Sequence, residues 1–72
     1  MIRKECISSV PEERYVARAK LAVYGYIYSH WNDYEIIEIQ EKVEFIPKSN
    51  LWKVTVRFYV QEMITDLEVK EK

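Results

Sequence analysis

From Glu12 to Trp31 the chain reads as one helix whose apolar surface is wider than a single sheet can cover. At about 100° per residue, Val16, Ala19, Val23, Tyr26 and Ile27 form one stripe. Ala17, Leu21, Tyr24 and Tyr28 form a second, and Arg14, Arg18, Gly25 and Ser29 share a narrow polar strip. An ordinary surface helix has one apolar stripe facing one core. Two stripes need two partners, and the rest of a 72-residue chain can supply only one. Ala17, Leu21, Tyr24 and Tyr28 are therefore the candidate oligomer interface.

Size points the same way. Residues 1–72 form one domain near the lower limit for a single hydrophobic core, where a disulfide, a metal or association usually adds stability. One cysteine, Cys6, excludes an internal disulfide, and one cysteine with one histidine argues against a private zinc site. Association remains, and a homo-oligomer is the expectation. A net charge of −1 with interspersed signs gives no electrostatic footprint for nucleic acid. No apolar run approaches the ~20 residues that span a bilayer, and the N-terminus lacks a signal-peptide core. A free cysteine without a secretion signal fits a cytoplasmic protein.

Residues 2–10 alternate raggedly, with Lys4 and Glu5 interrupting the two faces, as expected of an edge strand. A helix over 11–31 follows, with Ser9 as its cap, Pro11 in its first turn and acidic residues complementing the dipole. From 34 to 46 the period becomes two; Pro47-Lys48-Ser49-Asn50 is a turn; 51–64 is a second alternating strand. Pairing Ile46 with Leu51 sets Phe45 opposite Trp52, Val43 opposite Val54, Ile39 opposite Phe58 and Ile37 opposite Val60. On the outer face the same register sets Glu44 opposite Lys53. Residues 65–72 read as a weak or frayed tail. Thirteen strand residues reach ~43 Å and a twenty-residue helix ~30 Å, so the hairpin must curve around the helix or project toward another subunit. The expected fold is α+β, in β-α-β-β order, with one long helix on a curved antiparallel sheet and a long C-terminal hairpin.

Glu41 interrupts the inward set of its strand, opposite Val56 and between Ile39 and Val43. A bulge could turn it outward, or the helix could fail to cover it; an inward carboxylate could also serve as an acid, base or ligand anchor. His30 sits where a helix C-terminus favours its charged form, as a cap or as a base. No nucleophile is arranged with it, so the chain leans away from being an enzyme. Tyr24, Tyr26, Tyr28, Trp31 and Tyr34 crowd eleven residues. Such rings serve as interface anchors or as platforms for planar ligands. Lys53, Arg57 and Tyr59 give the outer strand face a basic, aromatic character that Glu38 and Glu44 offset, so nucleic acid is disfavoured.

The order of strand, helix and long hairpin resembles the dodecins, small proteins that assemble into twelve-membered shells holding flavin. The local likeness is Trp52-Lys53-Val54-Thr55-Val56-Arg57-Phe58, which looks like that family's final strand. Lys53 stands where the family's glutamine contacts flavin, and Tyr34 matches its flavin-stacking tryptophan; the glycine common in that strand is absent. The resemblance implies a homo-oligomer, with flavin as the family's cofactor at the positions of Tyr34 and Lys53. The leading expectation is a non-enzymatic assembly with a small planar ligand at a subunit interface, in a site of Tyr34, Lys53 and Trp31. The alternative is a regulatory or adaptor module that binds another protein through the second helix face or an exposed sheet edge.

Overall fold

The computed structural model describes residues 1–62. The chain is α+β: one helix lies against a three-stranded antiparallel sheet. Strand β1 (Ile2–Val10) leads through a 3-10 turn (Glu13–Tyr15) into α1 (Val16–His30), followed by β2 (Tyr34–Ile46) and β3 (Leu51–Glu62). The strands lie in the order β1-β3-β2, which places the most continuously apolar strand at the centre and leaves β1 and β2 as edges. The expected tail, 65–72, lies outside the described residues.

Ser9 does not cap the helix. It continues the β1 ladder opposite Lys53, and Val10 follows opposite Trp52. A residue before proline is held extended, so Val10-Pro11 prolongs the strand and delays the helix. The chain turns only after Glu12, which is extended and makes no side-chain cap. At the other end Trp31 N–H donates to the Ile27 carbonyl at 2.9 Å, and Tyr34 N–H to the Trp31 carbonyl at 3.0 Å, closing the turn into β2.

Helix α1 makes its principal contacts with β1 and β3. Ala19, Val23 and Ile27 point down onto Val54, Val56, Phe58 and Val60, and these seven apolar residues are the buried core. Val16, Cys6, Val10 and Ile36 pack around it, half-buried. All four core residues of β3 are at most 1% exposed, because the central strand has neighbours on both sides and the helix above.

The hairpin closes at Asn50, whose N–H donates to the Ile46 carbonyl at 2.8 Å and whose φ of 57° is a left-handed geometry that asparagine tolerates. From that turn Ile46, Phe45, Glu44 and Val43 face Leu51, Trp52, Lys53 and Val54, and Glu41 faces Val56. Beyond Gln40 the register shifts. Gln40 pairs with Arg57 and Ile37 with Tyr59, so Glu38 and Ile39 share the space opposite Phe58. Glu38 takes φ 53° to make this bulge. The extra residue changes which side chains face inward. Ile36, not Ile37, lies opposite Val60, and Ile37 lies opposite Tyr59.

The hairpin outreaches the helix. Thirteen residues of β2 run beside a fifteen-residue helix, ~43 Å against ~22 Å. The longest dimension is 58 Å, and the radius of gyration is 16.0 Å against about 11 Å for a compact chain of this length. Among the described residues, much of the inner face of β2 is left uncovered by the helix.

Candidate functional site

The uncovered inner face of β2 and the flank of α1 beside it form one surface. Its middle is polar. Glu41 points inward, opposite Val56, and the bulge lies two residues before it. From α1 the Tyr24 hydroxyl donates to Glu41 Oε1 at 2.7 Å, and Lys20 Nζ lies 2.9 Å from Oε2. The Tyr24 hydrogen bond, followed by that of Lys20, holds the Glu41 carboxyl below its ordinary range. The same bond to Glu41, with partial burial and the nearby negative charge, pushes the Tyr24 phenol up to about 12.

Around this cluster the surface is apolar and open. Val43 is 37% exposed, Ile39 38% and Phe45 42% on β2, and Leu21 is 75% and Tyr28 52% exposed on α1. Ala17 is exposed beside them. Of the four residues expected on the second helix stripe, Ala17, Leu21 and Tyr28 therefore remain free. Tyr24 is half-buried against the core and tied to Glu41, with its ring stacked on Tyr28 at 6.5 Å.

Trp31 and Tyr34 come together at the far end of the helix, their rings edge-on at 5.3 Å. Trp31 also meets His30 edge-on at 4.8 Å and carries the Lys4 ammonium 5.0 Å from its centroid. His30 stacks on Tyr26 at 5.2 Å. Lys53 is elsewhere. Tyr34 pairs with Glu62, whereas Lys53 lies nine residues back along β3 on the outer face. At about 3.3 Å per residue the two stand roughly 30 Å apart along the sheet. One chain does not gather Tyr34, Trp31 and Lys53 into a single pocket. Cys6 lies half-buried under the helix, and burial pushes its thiol up, which disfavours the reactive thiolate.

The outer face holds a feature that sequence reasoning missed. Glu5, Lys42, Glu44, Lys53, Thr55 and Arg57 line a groove of about 390 Å³. Thr55 is only 7% exposed, although among the described residues no helix covers this face. Glu5 reaches the groove because β1 pairs with β3, directly opposite Arg57. The alternation of Lys53, Thr55 and Arg57 is visible in the sequence, but their neighbour across β1 depends on a strand order that local pattern does not supply.

Among the described residues no helix is long and apolar enough to cross a membrane, and no three histidine, cysteine or acidic side chains gather to hold a metal ion. Set against known protein families, curated proteins and solved structures, the chain matches none of them.

Proposed function

We propose that this chain is a non-enzymatic subunit of a homo-oligomer, in which a second copy covers the inner face of β2 and the adjoining flank of α1. The observation that carries this reading is the set of exposed apolar side chains, Leu21, Tyr28, Ile39, Val43 and Phe45, beside a core of seven buried apolar residues among the described ones. A second copy suits the surface because each chain offers both halves of a contact, a helix flank and an open strand face. A two-fold rotation sets the flank of each copy onto the strand face of the other, the commonest closed symmetry. Lys20 and Glu41 neutralise each other within one chain, so covering the surface buries no unpaired charge.

A planar ligand enters this reading only between copies, since Trp31 with Tyr34 and Lys53 belong to opposite ends and opposite faces of one chain. His30 and Glu41 are each engaged by other partners, His30 by Tyr26 and Trp31 and Glu41 by Tyr24 and Lys20, and no catalytic role is assigned to them. The test is the mass of the native protein by light scattering, with Leu21→Glu and Phe45→Glu beside it. Both substitutions are at exposed positions, so each should give a folded chain of lower mass. If those variants keep the parent's mass, the contact lies elsewhere. Binding of a different protein to an otherwise monomeric chain would favour the adaptor reading.

A further inference from the structure

On the face of the sheet opposite the helix, five charged side chains surround Thr55, and their pairing is incomplete. Arg57 Nε meets Glu5 Oε2 at 3.0 Å, across the β1–β3 ladder. Lys42 Nζ meets Glu44 Oε1 at 3.1 Å, along β2. Lys53 lies directly opposite Glu44 in the ladder, yet Glu44 is held by Lys42. Among the described residues Lys53 has no carboxylate within ion-pair distance. It is half-buried beside the groove of about 390 Å³ whose buried member is Thr55. Arg57 engages Glu5 through Nε, which leaves its terminal nitrogens for another acceptor.

Lys42, Lys53 and Arg57 face Glu5 and Glu44 on this side of the sheet, while Glu41, which also borders the groove, is held from the helix by Tyr24 and Lys20. Among the described residues Lys53 is the groove cation left without a carboxylate partner. Lys53 is half-buried there, and an incoming oxyanion could take charge-assisted hydrogen bonds from it and from the free end of Arg57. Glu5 and Glu44 are already occupied, so they hold the cations in place and repel an incoming anion less than free acids would. We propose that this outer groove is a binding site for a small oxyanion-bearing molecule, a phosphate or a carboxylate. Lys53 is its principal cation and the free end of Arg57 its second donor. The site is on the opposite side of the sheet from the proposed subunit contact, so either can hold without the other.

The test uses the full chain, labelled with 15N and followed by amide chemical shifts. Inorganic phosphate and succinate are titrated separately, with sodium chloride at matched ionic strength as the control. Saturable shifts centred on Lys42, Lys53, Thr55 and Arg57 are expected with at least one of the two. Saturation by phosphate alone identifies a phosphate-bearing ligand, and by succinate alone a carboxylate-bearing one. Lys53→Gln should weaken binding about tenfold, the loss expected of one charge-assisted hydrogen bond. Lys48→Gln, in the hairpin turn and outside the groove, should leave it unchanged. Shifts reproduced by chloride, absent with both anions, or equally weakened by the two substitutions would overturn the proposal. Retained amide dispersion in each variant separates loss of binding from loss of fold.

Discussion

The Tyr24 hydroxyl donates to Glu41 across 2.7 Å, joining the flank of the helix to the strand farthest from it in the sheet. Seventeen residues separate the two along the chain. Helix α1 rests mainly on β1 and β3, so this bond and the neighbouring Lys20–Glu41 pair are its polar ties to β2. They pair a carboxylate that lies on the inner side of its strand yet stays exposed, because the helix does not cover it. They also tie down one residue of the second helix stripe, the half-buried Tyr24, and leave the others open.

Glu41 should titrate below the ordinary carboxylate range, because the Tyr24 hydrogen bond and then the Lys20 hydrogen bond favour its charged form. A carboxyl with a depressed folded pKa adds stability above its unfolded pKa and loses it as pH falls through the folded value. Tyr24→Phe removes the larger cause. In that variant the Glu41 carboxyl should titrate at higher pH, followed by 13C NMR of the side chain. An unchanged titration would show that the bond does not form in solution.

Alkaline pH tests the same bond from the other side. Tyr24 is pushed up to about 12 from 10.0, so its contribution is present below about 10 and fades as pH rises through about 12. Absorbance titration of the phenols should show one late-ionising tyrosine that disappears in Glu41→Gln. Loss of no late component in that variant would assign the shift to another ring.

Phe58 is the largest of the fully buried side chains and is 1% exposed beneath α1. Replacing it with alanine leaves a cavity in a core of seven residues and should cost about 3–5 kcal/mol. Chemical denaturation of Phe58→Ala should give a transition at much lower denaturant, or an unfolded chain. Phe45→Ala, at an exposed position, should cost far less, about 0.5–1.5 kcal/mol for the lost contact with the Trp52 ring.

Glu38 holds a left-handed φ of 53° without being glycine. That geometry costs a residue with a Cβ about 1–2 kcal/mol, while glycine adds about 0.5–1 kcal/mol of unfolded-state entropy. Glu38→Gly should therefore leave thermal stability unchanged or slightly raised, and Glu38→Val should lower it. A clear loss with glycine would mean that the Glu38 side chain itself stabilises the bulge.

The bulge also shows where local pattern stops being informative. The alternation of Val43, Phe45, Trp52, Val54 and Val56 admits one register near the turn, because a slip would set apolar residues opposite charged ones. Toward the other end Ile36, Ile37 and Ile39 offer apolar side chains to either face. A change of parity there costs no hydrophobic contact, so nothing in the spelling announces it. Ser9 misled in a different way. It is a good cap by type, but pairing with β3 held it in the strand. The second helix stripe was legible as surplus apolar surface. That Tyr24 would turn to Glu41 depended on where β2 lies relative to α1, which is a tertiary fact. The outer groove depended likewise on β1 pairing with β3.

The central claim is that Leu21, Tyr28, Ile39, Val43 and Phe45 are covered by a second copy of the chain. The most direct test is the native mass of the protein at micromolar concentration, measured beside Phe45→Glu. We expect a defined multiple of the 8.7 kDa chain, falling toward the single-chain mass in the variant. A stable 8.7 kDa particle for the unsubstituted protein would contradict the account.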